Sequence, residues 1–182
     1  MTARERYNEL VTDRRQFLDK AVDCSKLTLP YLIQDDTSSR PTHETLNVPW
    51  QSVGSKCVVG LAAKLMLAIL PPQGSFFKLQ PREDKIGEDI PPEARSEMDL
   101  SLSKMERIVM DYIAASNDRV IIHQALKHLI VGGNVLTYLP KETSMKVFPL
   151  TQYVCTRDSA DELLEIVIKE TITPLSLDVD IR

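Results

Sequence analysis

The side chains with the most specific chemistry are two of the three histidines, three cysteines and a few paired acids, and their spacing decides what they can do. His123 and His128 stand five apart, which places them about 500° apart around a helix, away from the shared face that an i, i+4 metal pair needs. The chain has no Cys-x-x-Cys and no His-Glu-x-x-His pattern, so both histidines read as ordinary polar or interfacial residues. Cys24, Cys57 and Cys155 are odd in number and widely spaced, and they read as reduced core thiols of an intracellular protein. Asp35-Asp36 and Asp178/Asp180 have the carboxylates that Mg²⁺ uses, but adjacent acids in polar stretches are ordinarily solvated.

Phosphate and acyl chemistry fare no better. The glycine-lysine phosphate loop and the dinucleotide Gly-x-Gly-x-x-Gly pattern are both missing, and Gly132-Gly133 closes a helical stretch, where a backbone offers carbonyls and not amide donors. Ser52, Ser55 and Ser75 lack the Gly-x-Ser-x-Gly setting of an activated serine. No catalytic residue, cofactor site or metal site is assigned. An enzyme would have to assemble its Cys, His or carboxylates purely in space.

Composition bounds the rest. The chain has 182 residues, 43% hydrophobic and 5% aromatic, with 6 Gly and 11 Pro, and this excludes disordered, collagenous and linker classes. Lys plus Arg number 22 against 26 Asp plus Glu, a net charge of −4 with the signs interspersed, which argues against an autonomous duplex-DNA binder. No export signal is read at the N-terminus. The most apolar stretch, Cys57 to Leu70, is shorter than the roughly 20 residues that span a bilayer.

The elements that must position any site follow from periodicity. Tyr7, Leu10, Val11, Phe17, Leu18, Ala21 and Val22 predict one amphipathic helix, opened by a capping box at Thr2 and Glu5 and closed near Pro30. Arg4, Arg6, Arg14, Arg15, Lys20 and Lys26 alternate with acids at helical spacing, so intrahelical pairs and a solvated face account for them. Residues 34–49 read as a surface loop. Trp50 is expected to anchor the start of a helix running to Leu70, buried nearly all round, with Gly54 and Gly60 admitting a neighbouring backbone. Phe76 to Leu79 is a short strand candidate, followed by a charged loop.

Pro91-Pro92-Glu93 opens a long helix with the stripe Met98, Leu102, Met105, Val109 and Tyr112. Ser116-Asn117 separates it from a helix carrying Ile122, Ala125, Leu126 and Leu129 that stops at Gly132-Gly133. Strands are expected at 135–139, 145–148, 152–157 and 162–173, the last with Leu164, Ile166, Ile168 and Ile172 on one face and Glu165, Lys169 and Thr171 on the other. The expected fold is α+β: one domain over 1–182, helical over about 1–133, with an antiparallel β-meander over about 134–173. Residues 174–182 read as the opening of a further element, as in a segment of a longer chain.

Five stretches carry a resemblance. They are Pro49-Trp50-Gln51-Ser52-Val53-Gly54, Leu61-Ala62-Ala63-Lys64-Leu65-Met66-Leu67-Ala68, Met105-Glu106-Arg107-Ile108-Val109-Met110-Asp111-Tyr112-Ile113, Gln124-Ala125-Leu126-Lys127-His128-Leu129 and Gly133-Asn134-Val135-Leu136-Thr137-Tyr138-Leu139-Pro140. In this order, with Tyr153-Val154 and Arg157-Asp158 following, the chain resembles the N-terminal, mostly wing, part of portal or head-to-tail connector proteins of short-tailed bacteriophages. The resemblance implies a non-catalytic subunit of a dodecameric ring at one vertex of the virion head, assembled in the host cytoplasm. It implies as partners other copies of the chain, the major capsid and scaffolding proteins, the terminase packaging motor, a tail adaptor, internal core proteins and the double-stranded DNA in the channel, but no membrane. No DNA-contacting residue carries over to a matched position. A near-balanced surface suits a wall that DNA slides past without being held. A non-catalytic helical adaptor is the alternative.

Overall fold

The computed structural model describes residues 2–34, 48–72, 74–81, 91–141, 144–170 and 172. Most of the 34–49 loop, the charged 82–90 stretch, both acid pairs, Thr171 and the 174–182 segment lie outside the described residues.

Helix α1 (Ala3–Asp13) opens with the expected capping box: Glu5 N donates to Thr2 Oγ1 at 3.3 Å and Thr2 N donates to Glu5 Oε2 at 2.8 Å. The single amphipathic helix expected here is in fact two, because the chain breaks at Arg14 (φ −100°, ψ 11°) before α2 (Arg15–Leu27). Nothing in the local propensities demands the break. It falls where the Arg14 guanidinium reaches across the molecule to donate to the carbonyls of Leu150 and Tyr153. Hydrogen bonds from a charged donor contribute about 1.5–3 kcal/mol each, more than the roughly 1 kcal/mol of an interrupted helical bond.

After α2 the chain folds back on itself around Ser25, whose hydroxyl donates to Leu29 O at 2.7 Å and accepts from Ile33 N at 3.1 Å while fully buried. This turn drives Leu29, Leu32 and Ile33 into the core, where they meet Ala21, Val22, Val58, Val131, Phe148, Leu150 and Tyr153. Helices, turn and strands therefore share one apolar cluster.

Helix α3 (Val53–Ile69) departs from expectation. It is not buried all round: Val58 and Ala62 are buried, and Val53, Val59, Leu61, Leu67 and Ile69 are exposed. Trp50 is not a packing anchor but fully exposed. Hydrophobicity says which side chains gain from leaving water, and within the described residues the main helix packed on α3 is α5, which covers one side. The two glycines divide as well. A Cβ on Gly54 would stand 3.0 Å from Leu27 O, so the start of α3 crosses the end of α2 closely, as expected. A Cβ on Gly60 would meet nothing within 4 Å, so its helical cost of about 1 kcal/mol is not repaid by a contact within the described chain.

Phe76 to Leu79 forms no strand; Leu79 N donates to the Glu106 carboxylate and holds this segment along the next helix. Helix α4 (Pro92–Ala115) starts at its proline with Glu93 in the first turn. Its inner side is Met98, Leu102, Glu106, Met110 and Ile113, all half-buried, while Met105, Val109 and Tyr112 of the expected stripe are exposed. Helix α5 (Asp118–Gly132) ends on Gly133 at φ 73°, a left-handed cap that favours glycine, with its N–H donating to Leu129 O. Ala125, Leu126, His128 and Val131 face inward; Leu129 is exposed.

Among the described residues, four strands form two separate antiparallel hairpins instead of one meander: β1 (Leu136–Tyr138) with β2 (Lys146–Phe148), and β3 (Tyr153–Arg157) with β4 (Leu163–Ile168). Arrangement remains α+β, helices first. The face of β4 is also the reverse of the expected one. Leu164, Ile166 and Ile168 are exposed, and so is Ile172, while Glu165 and Val167 turn inward. Helix α1 packs on the second hairpin, with Arg6 Nε 3.0 Å from Glu165 Oε2 and Tyr7 Oη donating to Thr151 O at 2.6 Å. Docking of an amphipathic helix through polar bonds thus selects the side with Glu165 and leaves the three aliphatic residues outside.

Candidate functional site

The residues with catalytic potential do not converge. No group of three or more His, Cys, Asp or Glu able to hold a metal occurs among the described residues. All three cysteines are exposed, not core thiols as expected, because Cys57 lies on the uncovered side of α3 and Cys155 on the outward face of β3. No helix among the described residues is long and apolar enough to cross a membrane.

His123 and His128 part company on α5. His123 is half-buried, and burial, with Lys127 nearby, lowers its pKa. His128 is 4% exposed, its Nδ1 has no hydrogen-bond partner, and burial lowers its pKa. A buried neutral imidazole of this kind links folding to protons. Below the ordinary histidine value near 6.5 the unfolded chain takes up a proton that the folded chain refuses, so stability falls as pH drops from 7.5 toward 5. Urea titrations at several pH values are expected to show this slope, and H128L to flatten it; an unchanged slope in H128L would assign the effect to other groups.

Arg14 is the most constrained charge, contrary to the solvated face expected of it. Its guanidinium lies 5.4 Å from the centroid of the Tyr153 ring and donates to two carbonyls flanking the turn between β2 and β3. Burial lowers its pKa, but a guanidinium remains charged at any physiological pH. Burial also raises the Tyr153 phenol, so the ring stays neutral beneath it. The other basic residues behave closer to expectation: Lys26 pairs with Asp23 at 3.3 Å and Arg6 with Glu9 at 2.9 Å, although Arg6 also reaches Glu165. Arg4, Arg15 and Lys20 are exposed.

A depression of about 390 Å³ lies between α5 and β2, and Lys146 and Glu170 on its wall pair with each other at 3.2 Å. Its remaining lining includes Ile121, Gln124, Val147, Phe148 and Gln152, among which no nucleophile or base is present. The feature with the most to do is instead uncovered apolar surface. One side of α3 presents Val53, Cys57, Gly60, Lys64 and Ala68 at successive three- and four-residue steps, with Leu61 beside Gly60, all exposed. The outward face of the second hairpin presents Cys155, Leu164, Ile166 and Ile168. Contiguous exposed apolar patches on a folded chain mark association surfaces. The sequence pattern reads α3 as buried nearly all round and puts the aliphatic residues of β4 on one face; of the two glycines read as close approaches, Gly60 is the one on the uncovered side.

A folded α+β unit with polar bonds inside, no catalytic cluster among its described residues and broad apolar faces outside has the make-up of an assembly component. The family model for bacteriophage head to tail connecting proteins matches residues 1–177, and the chain belongs to that family. It is 37% identical to the portal protein of Enterobacteria phage T3 over 185 residues, covering 99% of this chain and 34% of that protein. The portal protein of Escherichia phage T7 is 36% identical over 186 residues, with the same coverage of 99% and 34%, and that of Enterobacteria phage SP6 is 32% identical over 157 residues, covering 85% and 30%. The chain spans about a third of the length of these relatives.

Proposed function

We propose that this chain is the N-terminal, wing-forming part of a portal subunit. In this reading the subunit joins others of its kind in a ring at one vertex of a phage head, where the ring forms the passage for DNA and the attachment point for the tail. Its role is structural and not catalytic. The observation that carries the reading is family membership over nearly the whole chain, joined to apolar faces on α3 and the second hairpin that no described residue covers. Partners in this reading are other copies of the chain, the capsid and scaffolding proteins, the packaging motor, the tail adaptor and duplex DNA.

The charge balance supports it. A net charge of −4 neutralises few phosphates and so avoids a strong, salt-dependent hold on duplex DNA, as suits a surface past which DNA must move. Negative-stain electron microscopy of the purified chain, and of virions labelled on it, tests the reading. Rings with a central channel and label at a single head vertex are expected. Monomers or closed dimers alone, as a small adaptor would give, overturn it.

A further inference from the structure

We infer that the exposed side of α3 on one copy of the chain docks onto the outward face of the β3–β4 hairpin on the next, as a head-to-tail contact between two different surfaces. The inference rests on the ring reading and names the surfaces that would close the ring.

Charge is the first argument. Helix α3 carries Lys56 and Lys64 and no acid over its whole length, so its apolar side is purely cationic. The hairpin face is edged at its turn by Asp158, Asp161 and Glu162, all exposed. Lys64 and Glu162 have no ion pair among the described residues, while Asp161 is held 3.7 Å from Arg157 within the hairpin. A cationic apolar ridge thus meets an apolar sheet with an acidic rim, and like would repel like if either surface paired with its own copy.

Shape agrees. Gly60 sits midway along the exposed side of α3 with open space where a Cβ would be, so another backbone can approach there. The opposing candidate is a short aliphatic ladder: Ile166 pairs with Cys155, and Leu164 and Ile168 flank it on the same face, with a register irregularity at Thr156 and Arg157 beside them. Within one copy the two surfaces belong to elements that pack on different partners, α3 on α5 and the hairpin on α1. A contact between two unlike patches repeats around a ring or along a filament, whereas a contact of one patch with itself stops at a dimer.

The native thiols provide a direct test, since Cys57 lies on one surface and Cys155 on the other and both are exposed. In the full-length chain carrying C24S, one variant also carries C57S and a second C155S. Treated alone with a short bis-maleimide, neither is expected to cross-link, whereas a mixture of the two is expected to yield a covalent dimer, and the C24S chain a ladder of higher species. Charge reversal is the second arm: K56E/K64E, or E162K, is expected to weaken association at least tenfold by sedimentation, and the combination to recover part of it. Cross-linking of either single-cysteine variant with itself overturns the inference. So do rings that form without the mixed cross-link and are indifferent to the charge reversals, an outcome that leaves the ring reading standing. A chain monomeric at every concentration overturns the ring reading, and the docking contact with it.

Discussion

L150A is expected to lower folding stability by about 3–5 kcal/mol, as large-to-small changes at fully buried leucines do. Leu150 is 1% exposed, sits between β2 and β3, and packs among residues from α2, α5 and both hairpins. Its Cδ2 would lie 3.8 Å from a Cβ on Gly132, close against the end of α5. Truncation removes transfer energy and leaves a hole that cannot collapse, because Arg14 fixes the Leu150 carbonyl while the Pro149 carbonyl accepts from Gln152 N. Urea unfolding measures the effect as a shift in midpoint at unchanged slope. L100A, at a residue 58% exposed on α4 and away from the surfaces proposed to join subunits, is the matched control and is expected to change stability by about 0.5 kcal/mol or less. A cost for L150A of less than roughly 1.5 kcal/mol would mean that the β2–β3 turn repacks freely and is not held as described.

R14A is the second large effect, expected at about 3 kcal/mol. Two charge-assisted hydrogen bonds, each contributing about 1.5–3 kcal/mol, are lost and two carbonyls lose their donor. Part of the loss is returned, because alanine is the best helix former and allows α1 and α2 to run together. R14K is expected to retain less than half of the difference, since an ammonium cannot match the planar fork that spans both carbonyls above the Tyr153 ring. Hydrogen exchange distinguishes this mechanism from loss of charge alone: amides of residues 150–154 should lose protection in R14A while those of α4 remain unchanged. Because Arg14 binds the carbonyl of Leu150, the double variant R14A/L150A should cost less than the sum of the two.

These two residues also mark where sequence reasoning succeeded and where it stopped. Signals confined to one turn of chain were legible: the capping box of Thr2 and Glu5, the proline start of α4, the break at Ser116-Asn117 and the Gly133 cap all follow from backbone groups that neighbouring residues must satisfy. The four strands after α5 were legible in place, although β4 ends at Ile168 and not at 173, and the strand candidate at Phe76 to Leu79 does not form. The kink at Arg14 was not legible, since its cause lies 136 and 139 residues away in the carbonyls of Leu150 and Tyr153. The turn around Ser25 was missed too, although it delivers Leu29, Leu32 and Ile33 to the core.

Burial was the least legible property. Trp50, the cysteines, the outer side of α3, Met105, Val109 and Tyr112 of α4, and the aliphatic face of β4 were all expected inside and lie outside. An apolar side chain carries the same transfer free energy whether its cover comes from its own chain or from another, so hydrophobic pattern alone does not say which. That ambiguity is also why the candidate surface was hidden: the residues proposed to join subunits were read as core.

The amino-acid sequence by itself determined most of the elements, the capping box of α1, the proline start of α4, the Gly133 cap, the α+β arrangement and membership of the connector family, because these depend on local backbone chemistry and on residue patterns along the chain. Only the tertiary structure decided which face of α3 and of β4 meets the core, where Arg14 spends its hydrogen bonds, and which apolar surfaces remain for a partner. Those outcomes depend on competition among elements distant in sequence for a limited interior, and the losers of that competition are the surfaces left free to associate.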